Sequence, residues 1–172
     1  MRKQFYSLIL VMTFLGFENN YAFDHSHSSF QKVLDQYIVQ NGSQTLIKYQ
    51  KLKISPSGLN QYLAQLTAVK KTEFDSWSKS QQLSILINAY NAWTIKLIMD
   101  NYPVDSIKDI GTFFTSPWKK KFFKWLGQDS YLDYLEHGKL EKTIKSRGFI
   151  LHLFVHQLVA HHFHQKCFFR SH

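Results

Sequence analysis

From Ser28 the apolar residues Phe30, Val33, Leu34, Tyr37 and Ile38 recur at the i, i+3, i+4, i+7 spacing of a helix with one buried stripe, and Asn41-Gly42 is read as its stop. Thr45 to Leu52 suits a short strand. A turn at Ser55-Pro56-Ser57-Gly58 opens a second helix whose buried positions are Leu59, Tyr62, Leu63 and Leu66. The sharpest local signal is Ser78-x-x-Gln81, a capping box leading into Leu83 to Asn101, with Tyr102-Pro103 as the stop. Apolar residues surround that segment almost completely, which places it at the centre of a domain, while Asn88, Asn91 and Lys96 argue against a membrane span. After Pro103 the pattern is loop-like through Trp125. Ser130-x-x-Asp133 is read as the cap of a last helix, with Leu132, Leu135 and Leu140 on one side and Glu136-His137 near its middle. The pattern predicts an α+β, predominantly α-helical single domain, with a central buried helix over about 80–101 and at most a small sheet.

Composition sharpens this picture. A chain of 172 residues is the size of one domain, and 44% apolar with 16% aromatic content is enough to bury a core, which excludes multidomain and disordered readings. Arg2 and Lys3 precede an apolar run from Phe5 to Phe17, and polar Glu18-Asn19-Asn20 follows, the layout of a secretory signal cut after Ala22. The run is too short for a confident span, which needs about 20 residues. The body is therefore expected to be exported, periplasmic or secreted, and its one Cys leaves stability to packing.

Charge and histidine are unevenly placed. Six of the nine His and the sole Cys follow residue 150, and no Asp or Glu follows Glu141. The lysines at 119–121 and 124 interleave with aromatics, a pattern that can serve anion or nucleic-acid binding; a packed aromatic loop with lysine stems lying over it is the reading preferred, with no nucleic-acid partner.

Leu86-Ile87-Asn88-Ala89-Tyr90-Asn91-Ala92, then Tyr102-Pro103-Val104, Ser106-Ile107, Asp109-Ile110-Gly111, Ser116-Pro117-Trp118 and Leu135-Glu136-His137-Gly138, resemble the domain of unknown function 547 family in order and spacing, from about residue 45 to 145. The family's name leaves its activity open. In the members this chain resembles, the Glu-His helix is followed by a Pro-Arg-x-His-Phe-Ala-x-x-Cys-Ala-Ser-x-x-Cys-Pro block. Here Ser146 to His164 stand in its place. Displaced by two nucleotides, the codons allowed for this tail can spell that block: Phe154 with Val155 gives Cys or Arg, and His156 with Gln157 gives Ser or Pro. A frameshift near Lys145 is thus inferred, dividing the chain into a signal at 1–22, a partial domain at 23–145 and an out-of-frame tail at 146–172.

This division accounts for the charge. Of 21 basic and 12 acidic residues, the signal holds Arg2, Lys3 and Glu18 and the tail holds Arg147, Lys166 and Arg170, so the body keeps 16 basic against 11 acidic. That is a mildly basic exported domain. Taken at face value, His161, His162, His164 and Cys167 have donor types and spacing suited to Zn or Cu, the lesser reading of the tail. No metal or other cofactor is assigned to the body.

The resemblance implies a thiol in intact relatives, for which His is the usual partner. His137 is the one body histidine outside an N-terminal segment expected to be flexible, and Glu136 lies beside it, although adjacent helical residues point about 100° apart. Asn88 and Asn91, three apart on one face of the central helix, can orient such a His or donate to an oxyanion; as core amides they would fix a neighbouring loop instead. Relatives are therefore expected to be thiol-dependent enzymes, with this chain inactive for lack of the block. The alternative is a non-catalytic envelope module in which Asn88, Asn91, Glu136 and His137 build a pocket for an unknown small-molecule or protein ligand, with envelope association through the N-terminal segment.

Overall fold

The computed structural model describes residues 22–42, 44–111 and 116–140. The central element is α5, Lys79–Asn101, which starts where the capping box required: Ser78 Oγ accepts from the Gln81 amide, and the Gln81 side chain accepts from the Ser78 amide. Ile85, Leu86, Ala89, Ala92, Ile95, Leu97 and Ile98 are almost fully buried and lie all around its axis. Burying each larger aliphatic contributes roughly 1.5–3 kcal/mol, so this helix organises the core. No helix among the described residues is long and apolar enough to cross a membrane.

α2 (Tyr49–Ile54) and α3 (Ser57–Ala68) pack against α5, α1 (Ser28–Tyr37) packs on α3 and α2, and α4 (Lys71–Ser76) precedes α5. Phe30, Val33 and Tyr37 form the buried stripe of α1, and Leu59, Tyr62, Leu63 and Leu66 that of α3, as the spacing predicted. Gly58 lets the two helices approach, since a Cβ there would lie 3.2 Å from Val33 Cγ2. Gln82 is buried and ties α4 down, its Nε2 donating to the carbonyls of Phe74 at 3.0 Å and Trp77 at 3.1 Å.

The fold is α+β and mostly helical, with two small antiparallel hairpins: β1 (Ile38–Asn41) with β2 (Gln44–Ile47), and β3 (Phe123–Trp125) with β4 (Gln128–Ser130). Three local expectations are corrected. Asn41-Gly42 turns a hairpin instead of stopping the first helix, because Ile38 and Val39 leave the helix for a strand and Gly42 adopts φ 62. The strand expected to Leu52 ends at Ile47, and the chain turns into α2. The loop expected to run through Trp125 contains short 3₁₀ turns at Ile107–Ile110 and Pro117–Lys119 and the β3 strand, whose Phe123 and Trp125 point inward.

The chain then enters a π-helix, Tyr134–Leu140, that packs on α5 with Leu132, Leu135 and Leu140 buried. Ser130 does not cap it. That residue closes β4, and its buried Oγ has no hydrogen-bond partner among the described residues.

Candidate functional site

Two polar clusters meet α5. The first is built where the π-helix crosses it. Tyr90, 4% exposed, projects from α5 toward the π-helix, its hydroxyl facing the Glu136 carboxylate and the Trp118 indole. Burial, then the Glu136 charge and hydrogen bond, push the Tyr90 phenol far above its ordinary range, so it stays a donor; the Trp118 contact opposes this weakly. The 3₁₀ turn opened by buried Pro117 presents Trp118, and the π-helix presents Glu136. Gly138 makes the latter possible, since a Cβ there would lie 2.8 Å from the Tyr134 ring.

The residues singled out in the sequence are not gathered into one site. Glu136 is half-buried on Tyr90, whereas His137 points outward, its side chain 54% exposed and its Nε2 3.8 Å from Asp133 one turn back. Asn88 turns back on its own helix, Nδ2 donating to the Ser84 carbonyl at 3.0 Å. Asn91 differs: its Oδ1 is buried with no hydrogen-bond partner among the described residues. Ser84, Asn88 and Asn91 sit at i, i+4 and i+7, so they form one half-buried polar stripe along α5.

The second cluster lies at the start of that stripe and was missed in the sequence, where the N-terminal segment was taken as flexible. Asp24 organises it. Its Oδ1 accepts from the Ser26 amide and hydroxyl at 2.9 and 2.6 Å, and its Oδ2 from those of Ser28 at 3.1 and 2.6 Å. The Ser26 and Ser28 hydroxyls, foremost among these donors, hold the Asp24 carboxyl far below the usual carboxylate range. The resulting turn drives His27 inward at φ 54, a left-handed conformation uncommon for a residue with a Cβ. His27 is 6% exposed; its Nδ1 is 2.7 Å from the Tyr62 hydroxyl and its Nε2 3.1 Å from Ser84 Oγ. Burial lowers the His27 pKa, against the pull of Asp24 and with the help of His25, so the ring is held neutral. The readable signal was the Asp24-x-Ser26-x-Ser28 spacing, which satisfies a turn and a helix start from one carboxylate.

No group of three or more His, Cys, Asp or Glu suited to a metal ion occurs among the described residues. The candidate donors His161, His162, His164 and Cys167 lie outside them. A family model described as "Protein of unknown function, DUF547" matches residues 74–168, more than half of the chain and on both sides of Lys145. No curated protein and no solved structure matches.

Proposed function

From the premise that the chain belongs to the DUF547 family, whose description names no activity, we propose that it is an exported ligand-binding domain, with the polar face of α5 as its contact surface and without the thiol chemistry suspected of its relatives. The observation carrying this is Asn91, whose buried Oδ1 has no hydrogen-bond partner among the described residues. Leaving a buried acceptor unpaired costs roughly 1–3 kcal/mol, so a ligand or segment that donates an N–H or O–H there would recover that cost. His137 offers little support for a thiol partner in this place, because its side chain is 54% exposed. Export rests on the basic and apolar layout of residues 2–17, and the absence of thiol chemistry rests on the tail from Ser146 reading as the displaced Cys-Ala-Ser block.

The test is thermodynamic and needs no known ligand. Asn91→Leu removes the unpaired acceptor at similar volume and should raise the unfolding free energy by about 1 kcal/mol, measured by urea titration. A loss of stability would make Asn91 a structural amide and sink the binding surface. The nucleotide sequence around Lys145 tests the loss of the thiol: an open displaced frame encoding Cys-Ala-Ser supports it, and random codons there overturn it.

A further inference from the structure

The cluster at the start of the α5 stripe has the arrangement of an activated nucleophile. A base within hydrogen-bond reach of a hydroxyl, itself oriented by a third group, is the general signature of such chemistry. Here Ser84 Oγ stands 3.1 Å from His27 Nε2, and His27 Nδ1 stands 2.7 Å from the Tyr62 hydroxyl. Three further observations favour this over a simple core contact. His27 is held by a left-handed backbone, and strain of this kind clusters at functional sites. Tyr62 is fully buried and stacked on Phe30 at 4.7 Å, so its hydroxyl is fixed in place. Ser84 is half-buried, not sealed, and opens onto the same face as Asn88 and Asn91.

We propose that Ser84 is a nucleophile toward short acyl esters, with His27 as its general base and Tyr62 as the residue that positions the base. The proposal does not depend on what occupies Asn91. In the productive tautomer His27 Nδ1–H donates to the Tyr62 oxygen, leaving Nε2 to accept the Ser84 proton. Ser84 Oγ then bonds to the acyl carbon, the bond from that carbon to the leaving alkoxide oxygen breaks, and His27 passes the proton to the departing alcohol. Water, deprotonated by the same Nε2, releases the acyl group as a carboxylic acid and restores the Ser84 hydroxyl. Asn88 has a second amide hydrogen, uncommitted among the described residues, that can serve the oxyanion. Phe23, edge-on to His27 at 5.4 Å, gives the site an aromatic wall suited to an uncharged acyl group.

The experiment is covalent labelling of the full chain with a fluorophosphonate, with the adduct located by peptide mass mapping. One adduct at Ser84 is expected, absent in Ser84→Ala. His27→Gln should slow labelling by about 100-fold or more. Since His27→Gln can disturb folding, two arms keep the test decisive. Tyr62→Phe, which preserves the ring stacking, should slow labelling and move its pH midpoint. On the unaltered chain the rate should follow a single titration below the ordinary histidine range, set by burial against Asp24 and with His25, the charged or titratable groups facing His27 besides Tyr62. Labelling at no serine, labelling spread over exposed serines, or a Ser84 rate that simply follows hydroxide concentration would each overturn the proposal.

Discussion

The two polar clusters on α5 are solved by opposite means. At Tyr90 a phenol is clamped between a carboxylate on the π-helix and an indole on a 3₁₀ turn, and each partner has one possible role: Trp118 donates, Glu136 accepts. At Ser84 every member can both donate and accept, so the proton order along Tyr62, His27 and Ser84 can be reversed. The first arrangement fixes geometry; the second conserves a choice. A contact with a single possible polarity suits a clamp between elements. One that can shift its protons suits chemistry, and it stands on an N-terminal segment held by a single carboxylate.

The sharpest way to break this contrast is at the clamp. Tyr90→Phe leaves the Glu136 carboxylate and the Trp118 N–H without their shared partner and should cost about 2–3 kcal/mol in urea unfolding. Tyr62→Phe, by contrast, removes a neutral contact, for which about 1 kcal/mol is the ordinary scale. Equal losses at the two sites would erase the distinction. Gly138→Ala drives a methyl into Tyr134 and should cost about 1–3 kcal/mol through overpacking, with the loss centred on the π-helix in hydrogen exchange.

Acid separates the clusters next. His27 is held neutral below its usual pKa, so the stability it contributes is complete above about pH 6.5 and is lost as pH falls through its lowered value. Asp24 acts in the same sense: its stabilisation as a carboxylate is complete above about pH 4 and is lost on further acidification. Tyr90 is pushed the other way, so its contribution is complete below about pH 10 and fades only above that. Amides of residues 24–37 should therefore lose protection before those around Tyr90 as pH is lowered from 7; simultaneous loss would show that the N-terminal turn has no separate acid sensitivity. The smallest effect belongs to His137→Ala. With His137 exposed and 3.8 Å from half-buried Asp133, its removal should change stability by less than about 0.5 kcal/mol, and a larger loss would show that His137 belongs to the clamp after all.

What could be read in the sequence follows from the range of the forces involved. The capping box and all-round apolar pattern of α5, and the stripes of α1 and α3, are encoded within a few residues of each other, and the structure bears them out. Of the hairpin strands only β2 was anticipated, and with too long a span, because strands of three or four residues are too short for alternation to stand out. His27 was overlooked for a different reason: its partners lie 35 and 57 positions away, and nothing in a local window joins them. Tyr90 was counted as another apolar face of the central helix, although its hydroxyl is what receives Glu136. For Asn88 and Asn91 the sequence gives the shared face, but not that one amide turns back to Ser84 while the other is left unpaired.

The all-round burial of α5 also makes it a gauge. A helix with a fully wet face can fray while the rest of a domain persists, but between Ala89 and Ile98 only Asn91 and Lys96 are even half-exposed, and the amides there are expected to meet solvent only when the whole assembly opens. Their exchange rates should report the global unfolding free energy directly, giving one internal standard against which every local loosening in the chain can be measured.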